Sequence, residues 1–226
     1  MKEYRALLAL LHLASPSLPI GAYTYSQGLE SAIEQGLVRD ETSAREWLVE
    51  MLGIFTDFEL PILRRLLKAF SERDETAVNF WTECFVASRE TAEFRAETIQ
   101  MGYSLAKLII DLKLGDDSMR AILENQQAIP LPTAFACAAE GLGIPHEESL
   151  LGMLFSMAEN QVLACVKSVP LGQLSGQRLL LSLHPVIEAC SIRASQLTDD
   201  ELSSWAPGLS LLSMQHEVQY SRIYRS

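Results

Sequence analysis

Ser43-Ala44-Arg45-Glu46-Trp47-Leu48-Val49-Glu50-Met51-Leu52-Gly53-Ile54-Phe55 decides the fold class of this chain. Ser43 and Glu46 have the S-x-x-E spacing of a capping box, in which each side chain serves an orphan backbone N–H at a helix start. Behind it, Trp47, Leu48, Met51, Leu52 and Phe55 recur at the spacing of one helical face. The same pattern extends in both directions. Downstream of Pro61, Ile62, Leu63, Leu66, Leu67 and Phe70 form a second stripe, and Asp74 stands as the cap of a third with Val78, Trp81, Phe85 and Val86. A run from Ala92 to Leu112 carries Phe94, Ile99, Leu105, Leu108 and Ile109. Pro132 suits the first turn of a small-residue helix, Thr133 to Ala139, whose density of alanine permits tight contact inside the fold or between copies. Pro145 opens a run with Leu150, Leu151, Leu154, Phe155, Val162 and Val166, expected to be the most buried helix of the chain, in which Gln161 and Lys167 are the conspicuous polar members. Two further runs follow, about Gln177–Leu183 and Pro185–Ser195, and Thr198 with Glu201 makes another capping box.

Upstream, Leu7, Leu8, Leu10, Leu11 and Leu13 spread over most of a helix surface, which predicts a buried helix. Ser26 reads as the cap of a helix through Leu29, Ile33 and Leu37, with Gly36 near its end. Gly28 within it should cost about 1 kcal/mol against alanine, which points to a close backbone approach there. No period-two alternation lasts a strand's length. The expectation is an all-α, single-domain bundle of about ten helices over residues 1–206, with an irregular tail at 207–226 whose helical stripe fades after Met214.

Composition narrows the function. The chain has 226 residues, 48% of them apolar, and a net charge of −11. Phosphate backbones are bound by clustered Lys and Arg, so nucleic acid is not an expected partner. Cys84, Cys137, Cys165 and Cys190 form no C-x-x-C pair and read as buried thiols of a reducing compartment. The short apolar core at Leu7–Leu13, with Glu3 before it and Pro16 after it, does not suit a signal peptide. No uninterrupted apolar run reaches the ~18 residues of a membrane span. A cytoplasmic location without membrane attachment is expected.

Chemistry is sparse. Gly172-Gln173-Leu174-Ser175-Gly176-Gln177-Arg178 lacks the G-K-[ST] ending of a phosphate loop and reads as a turn between helices, with two glutamines available as surface amide contacts. His146-Glu147 and His216-Glu217 begin like H-E-x-x-H, but neither is completed by a second histidine. Glu93 and Glu97 form a like-charged i,i+4 pair, unfavourable unless a cation intervenes. They lie on a solvated face, pair internally with arginine, or line a polar groove. No catalytic triad, cofactor loop or metal set is visible, so neither an enzyme nor a cofactor is expected. Tyr, Arg and Gln crowd the loops and the tail, types favoured at interfaces.

One stretch stands apart: Ser15-Pro16-Ser17-Leu18-Pro19-Ile20-Gly21-Ala22-Tyr23-Thr24-Tyr25-Ser26-Gln27-Gly28-Leu29-Glu30. Its apolar and aromatic groups need burial, with Leu18 and Ile20 expected inside. It resembles the N-terminal signature of UreF-type urease accessory proteins. Arg89-Glu90-Thr91-x-Glu93-x-Arg95-x-Glu97, Val166-Lys167-Ser168-Val169-Pro170-Leu171-Gly172-Gln173-x-x-Gly176-Gln177 and Ser213-Met214-x-His216-Glu217-x-Gln219-Tyr220-Ser221-Arg222-x-x-Arg225-Ser226 resemble three further segments of that family, in order along nearly the whole chain. Tyr23 and Tyr224 stand where relatives often carry Phe.

The resemblance implies an all-α homodimer without catalytic activity. It implies binding to a UreD/UreH-type scaffold, recruitment of the GTPase UreG, docking on apo-urease, and support of GTP-dependent nickel insertion. The tail is implied to become ordered on the scaffold, and the Lys167 region to engage or control UreG. Partner-binding residues are then Tyr23, Tyr25, Glu30, Lys167, Gln173, Gln177, His216, Tyr220, Arg222 and Arg225. For Lys167, simple snorkelling at a helix end is the alternative. Two alternatives to the bridging role are a metallochaperone that binds nickel through His and Cys, and a GTPase-activating protein that supplies Arg89, Arg178 or Arg222.

Overall fold

Eleven α-helices and two short 3-10 turns make up residues 2–226, the part described in the computed structural model, with side chains from Tyr4 onward; no strand occurs among the described residues. The helices are α1 (Lys2–Leu13), α2 (Leu29–Glu34), α3 (Glu41–Asp57), α4 (Glu59–Glu72), α5 (Glu75–Ala87), α6 (Ala92–Asp111), α7 (Asp117–Glu124), α8 (Leu131–Leu142), α9 (His146–Ser168), α10 (Gln173–Gln196) and α11 (Pro207–Glu217). One apolar core runs through the bundle.

The α4 stripe lies at its centre, with Leu60, Ile62, Leu66, Leu67 and Phe70 at 0% exposure. Against it and α6 packs α8, the most deeply buried helix, a place the sequence reading gave to α9. The small residues of α8 serve contacts inside the chain. Thr82 and Thr133 pair their hydroxyls at 2.8 Å in this interior. At Gly102 on α6, a β-carbon would come within 2.0 Å of the Ile129 carbonyl oxygen, and at Gly141 on α8 within 2.6 Å of the Gly115 nitrogen. Bare backbone is what lets these segments meet.

Several boundaries differ from the sequence reading. Asp40, not Ser43, caps α3: its carboxylate accepts from the Ser43 N–H at 2.9 Å, and the Ser43 hydroxyl lies 3.1 Å from the Asp40 N–H in return. Ser26 lies two residues before the cap of α2, which is Gly28 at φ +84°, in left-handed backbone that glycine tolerates. The close approach expected at Gly28 is present, with Leu209 Cδ1 3.1 Å from where a β-carbon would stand. The two runs at 177–195 are one helix, α10, with Pro185 inside it. Pro185 lies on the exposed face, where water can serve the carbonyl left without a donor.

On α1, Leu13 is buried and Leu10 packs at Gly152 of α9, but Leu7, Leu8 and Leu11 are exposed. Helix α9 is long and apolar enough to cross a bilayer by length and composition, although no apolar run of that length was expected; it packs here as a core helix against α3, α4 and α10. All four cysteines are free. Burial pushes the Cys137 and Cys165 thiols up to about 12, so both stay protonated and inert. Cys84 and Cys190 are half-buried.

Candidate interaction site: the seat of the tail

The tail is more regular than its sequence suggests. Residues 207–217 form α11, with Pro207 in its first turn, and only the residues beyond it are irregular. Ser210, Leu212, Ser213 and His216 face inward, and Leu211, Met214 and Val218 face outward. The inward face is mostly polar, which is why no apolar stripe marks it.

That inward face meets the 89–97 segment residue by residue. The Ser210 hydroxyl donates to Glu90, and the Thr91 and Ser213 hydroxyls pair at 2.8 Å. Thr91 also caps α6, accepting from the Phe94 N–H at 3.1 Å. His216, with 0% exposure, lies between two carboxylates: Nδ1 is 2.9 Å from Glu93 and Nε2 is 3.2 Å from Glu30. Both ring nitrogens thus have a carboxylate within hydrogen-bond reach. Arg222 Nη1 brings a cation to Glu93 at 3.2 Å. The like-charged pair on α6 is therefore divided: Glu93 takes His216 and Arg222, while Glu97 turns inward.

Glu30 is the pin of the seat. Its two oxygens accept from the backbone N–H of Ile223 at 2.7 Å and of Tyr224 at 2.8 Å, beside the His216 contact. Beyond it the chain runs along the signature stretch. The Arg225 N–H donates to the Thr24 carbonyl at 2.9 Å, and both the N–H and the hydroxyl of Ser26 donate to the Ser226 backbone oxygen at 2.6 Å. The Ser226 hydroxyl donates to Glu97, and Gln27 donates to the other Glu97 oxygen at 2.9 Å. Burial pushes the Glu97 carboxyl up to about 7, against the pull of these two donors. Glu59 is raised for the same reason, offset by Arg89, which binds it and stacks over the Phe85 ring at 4.4 Å.

The signature loop is held from beneath by α9. Asn160 donates to the carbonyls of Ala22 and Tyr25 at 3.0 and 3.2 Å. Gln161 donates to the Ser26 carbonyl at 2.9 Å and accepts from the Trp47 indole at 3.3 Å. Both amides donate to backbone carbonyls of the loop, Gln161 from a fully buried position and Asn160 from a half-buried one, so the conspicuous glutamine of an apolar helix has its reason. Lys167, exposed at the end of α9, lies 6.0 Å from the Tyr23 ring and 5.9 Å from the Tyr224 ring, within cation–π range of both.

Three of the four sequence segments thus converge on one place, and Lys167 brings the near end of the fourth. Gln173 and Gln177 do not join; they are exposed in the first turn of α10. Tyr25, Glu30 and His216, read from sequence as interface residues, are inside the chain at 6%, 6% and 0% exposure. Glu30 and His216 hold the tail, Tyr25 is held by Asn160 beneath the loop, and none of the three faces outward. Leu18 is buried as expected, and Ile20 packs half-buried on the core. Tyr23, Tyr220, Arg222 and Arg225 are exposed. The tail, implied by resemblance to order on a partner, is seated on its own chain. Of the three arginines considered for a trans role, Arg89 is engaged by Glu59 and Arg222 by Glu93, while Arg178 is exposed on α10. Among the described residues, no group of three or more His, Cys, Asp or Glu side chains is arranged to hold a metal ion.

Comparison with known proteins gives one answer. The family model described as UreF matches residues 38–184. A urease accessory protein UreF of Nitrosospira multiformis is 97% identical over 226 residues, covering all of both chains. One of Janthinobacterium is 66% identical over 225 residues, spanning 99% of this chain and 100% of the relative. One of Cupriavidus metallidurans is 46% identical over 224 residues, spanning 97% of each. The matched model stops short of the tail and of the signature stretch, whereas the Nitrosospira and Janthinobacterium relatives span both.

Proposed function

The chain belongs to the UreF family, and from that premise we propose that it is a non-catalytic factor of urease maturation. In this reading it bridges a UreD/UreH-type scaffold and the GTPase UreG on apo-urease and supports GTP-dependent nickel insertion, in the cytoplasm. The observation that carries it is the outward face of the tail. Trp205, Leu211, Met214, Val218, Tyr220 and Ile223 are all large, apolar or aromatic, and exposed, at 48–105%. So many in one short segment mark a contact surface, and Tyr and Trp are the types that anchor interfaces. The seat beneath supports the reading because it fixes this face before a partner arrives, which lowers the ordering cost of binding. Arg222 and Arg225 rim it with positive charge on a chain of net charge −11, which suits an acidic rim on the partner. Lys167 with Tyr23 is the proposed contact toward UreG, with Gln173 and Gln177 on the neighbouring turn.

Deleting residues 220–226 tests the scaffold contact. The truncated chain should remain folded yet capture neither the UreD/UreH-type protein nor, through it, UreG. Co-purification of both at wild-type levels would refute the bridging role of the tail.

A homodimer is part of the same proposal, and the groove between α1, α9 and α10 is its proposed seam. It encloses about 680 Å³ lined by Leu10, Leu11, Leu151, Phe155 and Ile187 among others. Beside it, Leu7, Leu8 and Leu11 form an exposed ridge on α1. A two-fold axis would place the ridge of each copy at the groove of the other. Leu151→Glu, at a position 40% exposed, should leave the fold intact and give a monomer by light scattering. An unchanged dimer would place the seam elsewhere.

A further inference from the structure

Residues 222–226 are gripped by the fold, but the connector that leads to them is not. Among the described residues, the hydrogen bonds of residues 218–221 are all local. The N–H groups of Val218 and Gln219 donate to the Gln215 and His216 carbonyls, and the Gln219 amide donates to the Ser221 carbonyl. Val218 and Tyr220 are 83% and 105% exposed. Beyond this connector the contacts resume at every residue. Arg222 pairs with Glu93, Glu30 accepts from the N–H groups of Ile223 and Tyr224, the Thr24 carbonyl accepts from the Arg225 N–H, and Ser26 donates twice to the Ser226 backbone oxygen. Side chains alternate in burial along this block: Tyr224 and Ser226 lie inside at 7% and 2% exposure, while Ile223 and Arg225 lie outside. Main-chain bonds, with every second side chain taken inward, are the means by which a groove reads a peptide.

The groove keeps its shape by bonds in which the tail has no part. Asn160 and Gln161 of α9 hold the carbonyls of Ala22, Tyr25 and Ser26 from the opposite side, and Gln27 holds Glu97. Glu30 is set on α2, where its own N–H donates to the Ser26 hydroxyl at 3.3 Å. We propose that this seat is a peptide-binding groove for a non-helical Tyr-x-Ser segment, and that it accepts Ile223-Tyr224-Arg225-Ser226 from a second copy of the chain as well as from its own. The Tyr224 ring is selected by its buried place within cation–π range of Lys167, and the Ser226 hydroxyl by Glu97. The exposed connector adds no contact of its own and contributes only the local concentration of the segment it carries. The same bonds can therefore be made crosswise between two copies. This site goes beyond the bridging role and needs no scaffold protein.

The test is fluorescence anisotropy of a labelled peptide of the sequence of residues 221–226, titrated with full-length chains. Tyr224→Gly removes the ring that fills the groove and unseats the resident segment, while every groove residue stays in place. The peptide should bind this chain saturably. It should bind the wild type about tenfold less tightly, because a short connector gives the resident segment an effective concentration on the order of millimolar. Adding Glu30→Ala to the Tyr224→Gly chain should weaken binding by at least about tenfold, since two N–H groups of the peptide lose their acceptor. The proposal is overturned by any of three results: no saturable binding to the Tyr224→Gly chain, equal affinity for that chain and the wild type, or an affinity that Glu30→Ala leaves unchanged. If Tyr224→Gly does not fold, Ile223→Pro, which removes the N–H that Glu30 accepts at an exposed position, carries the same three readings. No scaffold is present in the titration, so a failure of scaffold capture by the tail would leave these outcomes unchanged.

Discussion

Glu30→Ala is expected to release the tail. The substitution removes the acceptor of the Ile223 and Tyr224 N–H groups and one of the two carboxylates holding His216. His216 Nε2 then loses its Glu30 partner in a fully buried position. Each orphaned buried N–H adds roughly 1–3 kcal/mol. The chain can escape these costs by lifting residues 218–226 into water, so local release should win over global unfolding. Exchange protection at Ile223 and Tyr224 should drop to that of an unstructured peptide, while α4 and α8 amides keep theirs. Glu30→Gln should fall between, since its one carbonyl oxygen can still accept. Full protection of Tyr224 in Glu30→Ala would show that the tail is held by something other than this pin.

Gly102→Ala should have the largest effect on the fold itself. The added carbon would lie 2.0 Å from the Ile129 oxygen and 2.5 Å from the Pro130 carbonyl carbon. Both are backbone atoms, so α6 and the start of α8 must part. Overpacking of this kind costs about 1–3 kcal/mol, against a gain of about 1 kcal/mol in helix propensity. Contacts of 2.0 and 2.5 Å with backbone put the cost at the upper end of that range, so we expect a net loss near 2 kcal/mol, read as a fall in Tm of about 4–8 °C for a chain of this size. Gly53→Ala is the internal control: it lies within α3 with nothing inside 4 Å of the new carbon, and should be neutral or stabilising. Equal Tm values for the two variants would contradict the close approach at Gly102.

Much of this molecule was legible in its sequence. The helices follow from apolar spacing, and Asp74 and Pro132 open α5 and α8 as read. The errors came where one local signal outweighed another. Asp40 outcompeted Ser43 as a cap, because the Asp40 carboxylate serves the Ser43 N–H while Ser43 answers as the reciprocal residue. Pro185 stayed helical because its missing donor falls on the wet face. Leucines on α1 looked like core because periodicity counts apolar residues and cannot say which of them a second copy or solvent will meet.

The site was legible mainly by resemblance. Glu30, Glu93, Glu97 and His216 are scattered over nearly 190 positions, and nothing local tells a buried clamp from a solvated face. Two signals pointed at it from physics. One was a like-charged pair on α6 that needed a cation. The other was Gln161 on an apolar helix, which needed a partner and found it in the signature loop.

We propose the outward face of the seated tail as the surface that binds the scaffold. The most direct test is the dissociation constant of the UreD/UreH-type protein for the wild-type chain and for Tyr220→Ala. Tyr220 is 105% exposed, so its truncation leaves the seat and the fold untouched. A hot-spot aromatic at such a face is worth about 2 kcal/mol or more, which predicts a weakening of roughly thirtyfold. An unchanged dissociation constant would contradict the account.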